Sequence, residues 1–258
     1  MVIEVLDSRV PLSSQNPMMN EILKGKPRLV LLNKANLSDK AQTKKWISYF
    51  EKLGILALDI DLIERYNVEK IIPYCNKLLK DKIEKAKEKG FATFKIRSLV
   101  VGIPNVGKST FINTLAKRKA LIVGDKPGVT KSQTWIKVND TFELLDTPGI
   151  LWPKFESEVV GKNLALCGAI KDDILPLDDV ISYGLDFMKK YYPNNLKERY
   201  DIEITSDMEL IDVYDAIGKK RNCLLKGAEI DYDRVISLVL FDLRHNKLGR
   251  MTYDRCED

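Results

Sequence analysis

Histidine is almost missing from this chain, and the lack removes histidine-based catalysis from consideration. The only one among 258 residues, His245, stands far from any motif, so its role reads as structural and no catalytic histidine is assigned. Four cysteines, Cys75, Cys167, Cys223 and Cys256, are scattered without the paired spacing of a zinc or redox motif, and read as reduced bystanders. No apolar run reaches the roughly 20 residues that a membrane-spanning helix needs. The N-terminus carries neither a signal peptide nor an Arg-rich transit pattern. The expectation is a soluble, cytoplasmic protein with no membrane partner. Strong charge bias is absent too: 42 Lys and Arg against 37 Asp and Glu leave a net +5, which permits an RNA partner without requiring one. The length suffices to bury a full core, as one large or two modest domains.

What is present is a phosphate-binding loop, Gly102-Ile103-Pro104-Asn105-Val106-Gly107-Lys108-Ser109, followed by Thr110. Its context is right: Ser98-Leu99-Val100-Val101 reads as a buried strand and Ser109 to Ala116 as the helix after it. Glycines let the backbone curl so that its N–H groups face phosphate oxygens, aided by the positive end of the helix dipole. Lys108 would bridge the β- and γ-phosphates and Ser109 would ligate magnesium. Downstream, Thr141-Phe142-Glu143-Leu144-Leu145 reads as a strand running into Asp146-Thr147-Pro148-Gly149. Asp146 could hold magnesium through a water, and the Gly149 N–H could sense the γ-phosphate. Between them, Pro127-Gly128-Val129-Thr130 offers a threonine hydroxyl to complete the magnesium shell, or else is a Pro-Gly turn with Thr130 incidental.

Upstream rather than downstream lies Asn33-Lys34-Ala35-Asn36, at the end of the apolar run Arg28 to Leu32. Such a sequence reads guanine, Asn33 meeting the base and the Lys34 stem lying over the purine. Its position ahead of the P-loop predicts a circularly permuted GTPase. Met1 to Leu6 is a third strand of this kind, ending in Asp7-Ser8-Arg9-Val10-Pro11. With Ile55 to Leu58, Ser98 to Val101, Thr134 to Val138 and Phe142 to Leu145, the expectation is an α/β, six-stranded, mostly parallel sheet. Nucleotide would bind at the sheet edge where these strands end.

These motifs, together with Asp-Thr-Pro-Gly-Ile-Leu-Trp-Pro-Lys-Phe from Asp146 to Phe155, resemble the circularly permuted GTPases of the ribosome biogenesis GTPase A family, which help mature the large ribosomal subunit. The resemblance covers essentially the whole chain. It implies a permuted GTPase domain over 1–152 and a helical RNA- and ribosome-binding domain over 153–258. It further implies hydrolysis of GTP to GDP and phosphate with Mg2+, stimulated by a large-subunit precursor and its rRNA, by a monomer. Catalysis would fall to Lys108, Thr130 and Gly149. Nucleotide would be held by Asn33, Lys34, Asn36, Asn105, Val106, Gly107, Lys108, Ser109, Thr110, Thr130 and Gly149, and metal by Ser109, Thr130 and Asp146. Asn105 matches the P-loop asparagine of potassium-dependent GTPases, so it either helps bind K+ or caps the turn. Ile150 stands where many GTPases place a water-orienting Gln.

Three departures stand out. The guanine motif normally closes with Asp, and here closes with Asn36; an amide leaves one base donor unmatched, which predicts weakened GTP binding and tolerance of xanthine, with Asp39 as a substitute or simply a helix cap. Asp59-Ile60-Asp61-Leu62 does not read as the small-residue guanine loop. Family members begin with an upstream Gly-His-Met helix, and this chain starts after it, which predicts a shortened N-terminus. An alternative reading is a nucleotide-gated RNA-binding module with negligible chemistry; an ATPase or kinase is opposed by Asn33-Lys34.

Past Gly149 the pattern turns helical. Asp178-Asp179 would cap a helix ending near Tyr192-Pro193; a second would end at Gly218, and Asp233 to Leu243 forms a third with one apolar stripe. Lys77 to Lys89 is interleaved with acids and reads as a solvated helical face. Gly218-Lys219-Lys220-Arg221 reads as a basic loop for RNA.

Overall fold

Six short runs rich in Val, Ile and Leu pair into one sheet of order β3-β2-β1-β4-β6-β5. They are β1 (Val2–Asp7), β2 (Arg28–Asn33), β3 (Leu56–Asp59), β4 (Ile96–Val101), β5 (Thr134–Asn139) and β6 (Phe142–Asp146). The computed structural model describes residues 1–117, 134–149, 151–152, 155, 157–174, 176–205 and 208–256. All pairings are parallel except the β5–β6 hairpin. Every residue of β1 and β2 is buried, as strands covered on both faces require. Register brings the polar strand ends level: Asp7 lies opposite Asn33, and Val100 opposite Asp146.

The connections are α1 (Met19–Ile22), α2 (Lys40–Lys52), α3 (Ile71–Leu78) with α4 (Lys80–Glu88), and α5 (Lys108–Ala116). α3 and α4 carry the chain from β3 to β4 and so join the ends that permutation opened. α4 buries nothing, and its Lys80–Glu84 pair spans 3.9 Å on a solvated face. α2 instead drives Trp46 and Phe50 into a core with Leu6, Val30, Leu32 and Ala57; a buried Phe of this kind is worth about 3 kcal/mol or more against Ala.

The chain divides into two compact units, Met1–Lys154 with Asp254–Asp258, and Phe155–Tyr253. The sequence boundary at 152/153 assigns the whole C-terminus to the second domain; the structure returns the last residues to the first. The Asp254 carboxylate accepts from the Ser13 N–H and hydroxyl, both at 2.6 Å, and Trp46 Nε1 donates to the Asp254 carbonyl at 2.9 Å. Cys256 N–H donates to Gln42 at 2.9 Å, and Arg255 faces Asp39 at 3.7 Å. No local pattern signals such a return.

The second unit contains α6 (Glu158–Leu166), α7 (Leu177–Tyr191), α8 (Pro193–Tyr200), α9 (Leu210–Lys220) and α10 (Tyr232–Arg244). Val180, Ile181, Leu185, Met188, Val213, Ile217, Val235 and Val239 form its buried interior. Two local expectations are corrected. Asp178 and Asp179 lie in the first turn of α7 rather than at its cap, which is Pro176; there they face the positive helix end. Gly218 does not stop α9. A Cβ there would stand 2.8 Å from the Ile230 side chain, so this glycine permits close packing and the helix runs on to Lys220. The basic stretch is therefore mostly helical and internally engaged: Lys219 faces Asp215 at 3.7 Å, Lys220 pairs with Asp201 at 2.6 Å, and the Arg221 guanidinium lies 5.4 Å over the Tyr200 ring. His245 stacks on Phe241 at the end of α10, a structural role. No helix among the described residues is long and apolar enough to cross a membrane.

Candidate functional site

The P-loop follows β4, and its geometry depends on β2. Gly107 has φ +101°, and a Cβ there would stand 2.4 Å from Asn33 Nδ2. That closeness lets Asn33 donate to the Val106 carbonyl at 2.7 Å, so the guanine-type loop is buttoned directly onto the phosphate loop. Lys34, itself at φ 62°, pairs with Asp7 at 2.9 Å. Asp7 also takes the Arg9 guanidinium through both oxygens, at 3.0 and 2.8 Å. Burial pushes the Asp7 carboxyl up, but Arg9 and Lys34 outweigh it and hold the group below the ordinary carboxylate range. Asp7 does not line the cavity but holds Lys34, which does; its only signal in the sequence is an acid at the end of an apolar run.

Asn33, Lys34 and Asn36 share one cavity of about 310 Å³ with Asn105, Gly107, Lys108, Ser109 and Thr110. Val106 is buried beneath it. Leu37, Asp61, Leu62 and Ile63 complete the wall. The segment that does not read as a guanine loop thus lines the same cavity, because β3 pairs with β2 and the Ala35 N–H bonds the Ile60 carbonyl at 3.0 Å. Asp61 accepts from the Ile63 and Glu64 N–H groups at 2.8 and 2.7 Å, folding the loop in place of small residues. Asn36 Nδ2 donates across to Glu64 at 3.1 Å. Asp39 caps α2, accepting from Ala41 and Gln42 N–H groups, which leaves it engaged away from Asn36.

On the phosphate side, Lys108 Nζ donates to the Ile103 carbonyl at 2.7 Å. Burial pulls its pKa down to about 8, against the opposing pull of the Asp146 carboxylate. Asp146 ends β6 fully buried, and the Thr147 hydroxyl ties the Asp-Thr-Pro-Gly turn to the Val100 carbonyl at 2.6 Å. Gly149 lies so close to the P-loop that a Cβ would stand 2.6 Å from Lys108 Nζ and 2.9 Å from Pro104 N. Thr130 and Ile150 lie outside the described residues.

A P-loop strand reached only after three other strands of its sheet, an Asn-Lys loop buttoned to that P-loop, and an Asp-Thr-Pro-Gly turn against its lysine define a circularly permuted P-loop GTPase. Comparison with known proteins agrees. Residues 97–225 match the family described as 50S ribosome-binding GTPase. Ribosome biogenesis GTPase A of Bacillus cereus is 53% identical over 258 residues, all of this chain and 86% of that protein. The Thermotoga maritima protein of the same name is 30% identical, again over all of this chain and 86% of the relative. Among solved structures, the GDP-bound structure of TM YlqF superposes with a TM-score of 0.68 at 26% identity, covering 100% of this chain and 95% of that one. GNP-bound YlqF from T. maritima gives 0.67 at 26% identity, covering 100% and 93%. The chain belongs to the ribosome biogenesis GTPase A family, and it is a GTPase.

Proposed function

We propose that this GTPase is a cytoplasmic, monomeric assembly factor for the large ribosomal subunit, whose hydrolysis is stimulated by the subunit precursor and its rRNA. The observation that carries the reading is the single cavity in which the Asn33–Asn36 loop and the P-loop meet. Asn33, Lys34 and Asn36 face the base; Asn105, Val106, Gly107, Lys108, Ser109 and Thr110 take the phosphates. The Lys108 ammonium bridges the β- and γ-phosphates, and the Gly149 N–H, already packed on the P-loop, meets the γ-phosphate.

The Ser109 hydroxyl and the buried Asp146 carboxylate are hard oxygen donors of the kind Mg2+ takes, with Thr130 as a third from the sequence. Mg2+ is typically held through one or two protein ligands plus substrate phosphates, so these few donors would suffice. When bound it neutralises charge developing on the phosphates. Asn105, at φ 60° on the cavity wall, suits a K+ site beside them. After Gly149 the chain passes through Leu151 and Trp152 into the helical unit, so ordering of Gly149 by a γ-phosphate acts on the connector to the rRNA-binding part.

Ile150 cannot orient water, so the isolated protein should be slow. The test is phosphate release with and without large subunits, in K+ and in Na+. Stimulation by subunits is expected; turnover of the isolated protein near about 10 per second refutes the proposal.

A further inference from the structure

The guanine-reading carboxylate missing from position 36 has a substitute bonded to the residue that stands there, next in the chain to the cavity-lining Ile63. We infer that Glu64 is the specificity-determining residue of the base site, with Asn36 as the residue that positions it; this rests on the base-site reading proposed above. Guanine presents two parallel donors, N1–H and N2–H, which a carboxylate accepts with both oxygens, whereas an amide offers one acceptor. Asn36 Nδ2 donates to Glu64 Oε1 at 3.1 Å, a bond that joins two loops 28 residues apart. The amide donor that would otherwise oppose the base is thereby turned onto a carboxylate.

The loop that carries Glu64 is built to hold it. Asp61 and Tyr66 close its base as an antiparallel bridge, and Asp61 accepts the Glu64 N–H itself at 2.7 Å. Asn67 Nδ2 anchors the return to the Asp59 carbonyl at 3.0 Å. The other nearby carboxylates are committed to folding: Asp61 to the loop, Asp39 to the α2 cap. Ile63, lining the cavity yet 82% exposed, adds an apolar side chain beside the base position.

The consequence reverses the xanthine tolerance expected from Asn36 alone. A carboxylate facing position 2 repels the xanthine 2-oxo group and accepts only N1–H from hypoxanthine, which lacks the 2-amino donor. Glu64 is exposed, so its substitution spares the fold. The experiment measures GTP, ITP and XTP affinities of the full chain by competition against a fluorescent GDP, in native protein, Glu64→Ala, Glu64→Gln and Glu64→Ala/Asn36→Asp. Native protein should prefer GTP. Both single variants should lose about 10- to 100-fold for GTP with XTP unchanged or improved, and the double variant should recover the preference. If the single variants keep the native GTP-to-XTP ratio while Lys34→Ala weakens GTP, the base site stands and Glu64 is not its reader. If Lys34→Ala and the double variant also change nothing, the base is read elsewhere and the underlying reading fails with it.

Discussion

Gly107→Ala measures how much of the site depends on one close approach. The native backbone sits at φ +101°, where an L side chain is strained by about 1 to 3 kcal/mol. The added methyl would also stand 2.4 Å from Asn33 Nδ2 and must displace the bond from that amide to the Val106 carbonyl. Leaving those buried groups unpaired costs about 1 to 3 kcal/mol more. The expected loss is therefore about 2 to 6 kcal/mol, from backbone strain and side-chain clash in comparable parts. Only the second part vanishes when Asn33 is removed. Gly107→Ala in an Asn33→Ala background should thus cost less than in the native protein, with a coupling of about 1 to 3 kcal/mol. Urea unfolding of nucleotide-free protein, followed by tryptophan fluorescence, reads this out, because Trp46, Trp135 and Trp152 all lie in the first unit. Strict additivity of the two substitutions would refute the reasoning.

Other outcomes follow from the same geometry. Lys108→Met should abolish GTP binding yet stabilise the nucleotide-free protein at pH 7: the folded pKa near 8 lies below the ordinary 10.5, so charging the buried amine costs about 3 kcal/mol below pH 8 and nothing above 10.5. Thermal midpoints across that range test it. The Asp7 pKa is lowered too, which for a carboxyl stabilises the fold; that stabilisation is complete above the ordinary value of 3.8 and is lost as pH falls through its lower folded value, so Asp7→Asn should flatten the acid limb of a stability-pH curve and cost about 3 kcal/mol at pH 7. Asp254→Ala removes both Ser13 bonds and should destabilise the first unit by about 1.5 to 3 kcal/mol, visible as an earlier tryptophan transition in urea. Reversing Lys219 and Lys220 breaks their pairs with Asp215 and Asp201, exposed pairs worth about 0 to 1 kcal/mol each, so helical content should hold while any loss of ribosome binding reports the surface directly.

The legible parts of this protein are those whose information is local. The P-loop is recognisable from eight consecutive residues, and the strands announce themselves as short apolar runs, within a residue or two of their observed ends. Parallel order follows from polar loops that must share one sheet edge. Asn33 ahead of Lys108 in the chain is enough to imply permutation, because the site is assembled from loops whatever their order. Each of these follows from residue type and spacing alone.

The misread parts depend on partners distant in sequence. Gly218 looks like a helix stop until Ile230 is packed against it, and the Lys220 and Arg221 charges look uncommitted until Asp201 and Tyr200 meet them from the end of α8. Asp7 is an ordinary strand-end acid until the register sets Lys34 beside it. The loop from Asp61 lacks small residues, yet β3 pairing delivers it to the wall of the cavity that Asn33, Lys34 and Asn36 line, with Glu64 bonded to Asn36. Asp254 reaches Ser13 across 241 residues of chain. Sequence determined the fold and the class of chemistry, since propensities and motifs are short-range; which carboxylates bond to the cavity loops and which unit residues 254–256 join were decided only by tertiary structure, because a hydrogen bond depends on distance in space and not along the chain.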